Sequence, residues 1–127
     1  MRRAILIVED SQPYCSTLEL ALAGLPDTDV VCAGSGREAL AILSGARGES
    51  ISALITDLHM PHMDGFELIQ RVRSDHRYAG LPIIVLSGDT DPGTPARAAE
   101  LGANAYFPKP YSPAHVKNKL QELLHDL

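Results

Sequence analysis

Short apolar runs alternate along this chain with longer stretches of helical period. Ala4-Ile5-Leu6-Ile7-Val8 is continuous and β-branched, the pattern of a strand covered on both faces. Ser11 is placed to cap a following helix with Pro13 in its first turn. Tyr14, Leu18, Ala21, Leu22 and Leu25 then recur at helical spacing. Asp29 to Ala33 reads as a second, weaker strand. Ser35-Gly36-Arg37-Glu38 has the form of a capping box leading a stripe of Ala39, Leu40 and Leu43, and that helix should end near Gly45 to Gly48. Ser52 to Asp57 is a third strand, and Asp64 can cap a helix whose inner face is Phe66, Ile69 and Val72. Pro82 to Ser87 is a fourth strand, with its proline at the permitted first position.

The stretch after Ser87 is less regular. Prolines are poorly placed inside a helix, so Asp91-Pro92-Gly93-Thr94-Pro95 predicts a lengthened loop and a short fourth helix. Thr94 would be its N-cap, Pro95 its first residue and Gly102 its stop. Asn104 to Phe107 is a brief fifth strand. Ser112-Pro113 opens a last helix with Val116, Leu120, Leu123, Leu124 and Leu127 on one face. Strands alternating with helices predict an α/β fold around a five-stranded parallel sheet, a doubly wound (βα)5 unit.

Chemistry in such a sheet gathers beyond the carboxyl ends of its strands. Strand one ends in Glu9-Asp10, strand three in Asp57 and strand four in Ser87, and Lys109 follows strand five. A strand order of 2-1-3-4-5 would bring these groups into one pocket. Clustered carboxylates raise one another's pKa unless a cation lies among them. Oxygen ligands of this kind suit magnesium, which takes one or two protein carboxylates and completes its shell with water and phosphate oxygens. A lysine and a serine on adjacent strands would hold further phosphoryl oxygens. The inventory fits phosphorylation of an aspartate.

The ordered set Glu9-Asp10, Asp57-Leu58-His59-Met60-Pro61-His62-Met63-Asp64-Gly65, Ser87-Gly88, Gly102-Ala103, Tyr106 and Lys109-Pro110 resembles a response-regulator receiver domain of two-component signalling. The resemblance covers essentially the whole chain and implies a flavodoxin-like fold of order 2-1-3-4-5. It implies that Asp57 takes a phosphoryl group from the phosphohistidine of a sensor histidine kinase or phosphotransfer protein. Glu9, Asp10, Asp57 and the backbone carbonyl of His59 would hold magnesium, and Ser87 and Lys109 would bind phosphoryl oxygens. Tyr106 would be the switch aromatic, moving with Ser87, and the Lys109-Pro110 bond would be cis. His59 and Asp89 occupy positions that in this family border the phosphoryl group, so the resemblance implies that they would set its lifetime. Two departures stand out: Glu9 replaces the family's commoner aspartate, and serine replaces threonine at Ser87. The remodelled fourth helix also falls in the helix four, strand five and helix five surface that commonly carries output in receivers.

Length and charge narrow the alternatives. At 127 residues the chain suits one receiver domain, residues 1–127, with no effector or output domain. Sixteen acidic against eleven basic residues give a net charge of −5, which argues against unaided binding to nucleic acid or an anionic membrane. The first apolar run is too short for a signal peptide or a membrane span, so a cytoplasmic location is expected. Cys15 and Cys32 lack metal-type spacing and read as two small thiols of a reducing cytoplasm. A phosphohydrolase of the haloacid dehalogenase type would resemble a D-x-D motif after strand one, whereas Asp57 lies on strand three before Leu58-His59. A flavodoxin-like cofactor binder needs backbone amides in a small-residue loop after strand one, and Glu9-Asp10-Ser11-Gln12 presents anions there.

Overall fold

The computed structural model describes residues 2–125. Five strands form one parallel sheet: β1 (Arg3–Val8), β2 (Thr28–Ala33), β3 (Ile51–Asp57), β4 (Ile83–Ser87) and β5 (Ala105–Pro108). Their order is β2-β1-β3-β4-β5. The helices are α1 (Gln12–Leu22), α2 (Gly36–Ser44), α3 (Gly65–Arg73), α4 (Thr94–Leu101) and α5 (Pro113–Leu123).

Side chains alternate across each strand, and here both faces are covered. Ala4, Leu6 and Val8 enter the core beneath α2, α3 and α4, while Ile5 and Ile7 enter the one beneath α1 and α5. Double coverage is why β1, β3 and β4 read as unbroken apolar runs. Register then sets the site: Val8 pairs with Thr56, Asp57 with Leu86 and Ser87 with Pro108. The residues just past these pairs leave the sheet at one edge of the fold.

The helix signals hold in most details. Ser35 Oγ accepts from the Glu38 amide at 3.1 Å, and the Glu38 carboxylate returns to the Gly34 amide at 3.0 Å, one residue earlier than in the usual box. Asp64 Oδ1 accepts from the Glu67 amide at 2.9 Å, and Ser112 Oγ from the His115 amide at 3.4 Å. Ser11 occupies its N-cap position without a side-chain cap bond; instead, its amide donates to Glu9 Oε2 at 3.2 Å. The inner face of α1 is Cys15, Leu18 and Leu22, and Tyr14 is turned outward. Leu18, Leu22 and Leu25 are buried as the sequence pattern has them, and only in the first turn does Cys15 take the inward place expected of Tyr14. On α5, Val116 and Leu120 are buried and Leu123 and Leu124 pack at the margin; Leu127 lies outside the described residues.

The fourth helix is short, with eight residues. Gly93, not Thr94, holds the N-cap position, because the Thr94 hydroxyl is turned back to donate to Asp89 Oδ2 at 3.0 Å. The helix stops at Gly102, whose φ of 113° is left-handed and favours glycine.

Cys15 and Cys32 are not separate thiols. They form a disulfide joining α1 to β2, with Cα atoms 6.6 Å apart, within the span a disulfide bridges. The cysteine spacing could not show this pairing. It follows from α1 lying over the edge strand with residue 15 turned to the same sheet face as residue 32.

Candidate functional site

Glu9, Asp10, Asp57, Ser87 and Lys109 converge at the carboxyl edge of the sheet. Carboxylate oxygens of Glu9, Asp10 and Asp57 all lie within 4.8 Å of one another. Glu9 and Asp57 are buried, and Asp10 faces solvent. Lys109 Nζ bridges the buried pair, donating to Glu9 Oε1 at 3.0 Å and to Asp57 Oδ2 at 3.2 Å. The backbone delivers the lysine: its amide donates to the Ser87 carbonyl at 2.7 Å, continuing the β4–β5 ladder by one residue. The Lys109-Pro110 peptide is cis, as the resemblance implied.

Asp57 is held from two directions. The Leu58 and His59 amides donate to Oδ1 at 2.7 and 3.4 Å, and Lys109 faces Oδ2. The loop beyond it turns tightly, with the Gly65 amide donating to the Leu58 carbonyl at 2.8 Å. A Cβ on Gly65 would stand 2.5 Å from the Asp57 carbonyl oxygen and 2.8 Å from Leu58 Cα. Glycine is therefore required there for α3 to approach the acidic strand end.

The charges balance unevenly. Burial lifts the Glu9 carboxyl above its ordinary range, and Asp57 adds to this, against the pull of Lys109 and the Ser11 amide. Burial draws Lys109 down, but its bonds and proximity to Glu9 and Asp57 outweigh that and leave it raised. With one ammonium among three carboxylates, the cluster keeps an excess of negative charge. Its donor set is all hard oxygen, with one water-facing carboxylate, and so fits magnesium.

Ser87 is fully buried, and its Oγ accepts from the Asp89 amide at 3.0 Å. Asp89 organises the loop that follows. Oδ1 accepts from the Asp91 amide at 2.8 Å, and Oδ2 accepts from Thr94 and meets His59 Nε2 at 3.3 Å. The Asp91 amide, then Thr94 and His59, hold the Asp89 carboxyl below its usual range. His59 and Asp89 thus touch each other at the rim. Tyr106 is half-buried on β5 and lines a cleft of about 80 Å³ with Pro95, Ala98, Ala99 and Ala103.

One contact was not anticipated. The Tyr14 ring lies 4.1 Å from Lys109 Nζ in a cation–π arrangement, with Tyr111 beside it at 6.3 Å between centroids. Helical spacing assigned Tyr14 to the buried stripe, so nothing in the pattern distinguished it. The nearby Tyr111 hydroxyl is buried without a hydrogen-bond partner among the described residues.

Comparison with known proteins places this geometry. Residues 5–121 match the model of the response regulator receiver domain. A chemotaxis protein CheY homolog of Campylobacter jejuni is 34% identical over 120 residues, covering 94% of this chain and 91% of the relative. The transcriptional regulatory protein GltR of Pseudomonas aeruginosa is 36% identical over 96% of this chain but only 49% of its own length. Among solved structures, Vibrio cholerae chemotaxis protein CheY4 matches with a TM-score of 0.85 at 31% identity, covering 97% of this chain and 99% of that one. A Chloroflexus aurantiacus protein described as a putative response regulator matches with a TM-score of 0.87 at 33% identity, covering 98% and 99%.

Proposed function

The chain belongs to the response regulator receiver domain family, whose members are phosphorylation-driven switches rather than turnover enzymes, and on that premise we propose that Asp57 is its phosphoryl acceptor. The observation that carries the assignment is Lys109 bridging Glu9 and Asp57 at 3.0 and 3.2 Å. An Asp57 carboxylate oxygen attacks phosphorus of a phosphohistidine on a histidine kinase or phosphotransfer protein. The phosphorus–nitrogen bond breaks, and the imidazole leaves. Lys109 and the Ser87 hydroxyl bind oxygens of the transferred group, so the domain catalyses its own modification. The Glu9, Asp10 and Asp57 carboxylates and the His59 carbonyl would hold magnesium, which would supply positive charge against the phosphoryl oxygens.

The modification shifts a two-state equilibrium. Ser87 turns from the Asp89 amide toward the phosphoryl group, and Tyr106 follows inward beside α4. That changes the face presented to a downstream protein partner; nucleic acid is not contacted directly. Residues 1–127 act as one receiver domain in the cytoplasm. No helix among the described residues is long and apolar enough to cross a membrane. Uptake from a small phosphodonor tests the role of the cation: one phosphoryl group should be gained with magnesium and none after chelation. Equal uptake in both would contradict the assignment of the acidic cluster.

A further inference from the structure

The Cys15–Cys32 disulfide stands apart from phosphoryl transfer, and its surroundings suit more than a permanent crosslink. Its two sulfurs differ in access. Cys15 is buried at 1% exposure, whereas Cys32 is half-buried on β2, the outer strand of the sheet. Glu19 follows Cys15 by one helical turn and places Oε1 3.1 Å from Cys32 Sγ and 4.0 Å from Cys15 Sγ. A disulfide sulfur has no proton to give that carboxylate, while a thiol does. The same backbone therefore offers the opened pair a ready acceptor.

We propose that Cys15–Cys32 is a reversible thiol–disulfide site, with Cys32 the sulfur attacked first and Glu19 the acceptor of the Cys32 thiol in the reduced form. For its physiological reductant, a thiol or dithiol, it rests on the cytoplasmic reading above; disulfides in that compartment are usually transient or redox-sensing. A reductant thiolate attacks Cys32 Sγ, the Cys15–Cys32 bond breaks, and Cys15 leaves as a thiolate that takes a proton from water. A second thiolate attacks the outer sulfur of the mixed disulfide and releases Cys32, which is protonated and donates to Glu19. Two electrons pass from two reductant thiols, which become a disulfide.

Alkylation of the folded full chain, read by intact mass, tests this. After oxidised glutathione no cysteine should be alkylated, and after dithiothreitol Cys32 should be, with circular dichroism unchanged. A reactive thiol regardless of oxidant, or none released until denaturant is added, would overturn the proposal. Cys15→Ser should take glutathione on Cys32, while Cys32→Ser should leave Cys15 unmodified; the opposite pattern would overturn the order of attack. In the reduced protein Glu19→Gln should speed alkylation of Cys32 at neutral pH about three- to tenfold, because a neighbouring negative charge suppresses the thiolate. An unchanged rate would remove Glu19 from the site. None of these readings passes through Asp57, so their failure is separate from failure of the phosphoacceptor assignment.

Discussion

Lys109 has donors for two carboxylates and an aromatic face for the rest of its charge, so it organises the pocket before any phosphoryl group arrives. Glu9 is the less settled partner. Because burial raises its pKa, Glu9 takes up a proton more readily in the folded state than in the unfolded chain. Keeping it charged opposes folding above that pKa, and the opposition fades as pH falls through it. Magnesium needs the charged form, so protons compete with it. Calorimetric titration should show magnesium affinity falling toward acid pH more steeply in the parent than in Glu9→Gln; equal slopes would contradict a role for Glu9 at the ion. At the rim, His59 and Asp89 meet at 3.3 Å, each two residues past a residue of the pocket, Asp57 and Ser87. Phosphorylated His59→Ala and Asp89→Ala should decay at rates different from the parent, followed by loss of phosphorylated mass. Rates equal to the parent would leave the pair only its structural part in holding the start of α4.

At the level of elements, most of the fold was readable because double coverage of the sheet leaves unbroken apolar runs and because Ser35, Asp64 and Ser112 cap where their spacing says. The short α4 was readable for a physical reason too, since Pro92 and Pro95 deny it an earlier start. The misread parts depended on rotation and tertiary contact. In the first turn of α1, Cys15 faces the sheet and Tyr14 lies over Lys109, and no local period encodes that. Gly65 is where two elements approach most closely. Gly65→Ala would press a methyl group against the Asp57 carbonyl and Leu58 Cα, which should cost about 1–3 kcal/mol or more. A denaturant midpoint unchanged from the parent would show that α3 has room to move.

For the whole molecule, strand order turns residues scattered from Glu9 to Lys109 into one pocket, and the ordered motif made that site legible in advance. The disulfide was not legible, because 17 residues separate the cysteines and only the packing of α1 on β2 brings them together. Closing such a loop restricts the unfolded chain, by about 3 kcal/mol. Urea unfolding under oxidising conditions should show the parent more stable than Cys15→Ser/Cys32→Ser by that order, with most of the difference lost in dithiothreitol; a gap unaffected by reductant would trace the loss to packing instead. The central claim, that Asp57 accepts the phosphoryl group, is tested most directly by intact mass after treatment with a small phosphodonor and magnesium. The parent should gain one acid-labile phosphoryl group and Asp57→Asn none, whereas an unmodified parent, or equal gain in the variant, would contradict it.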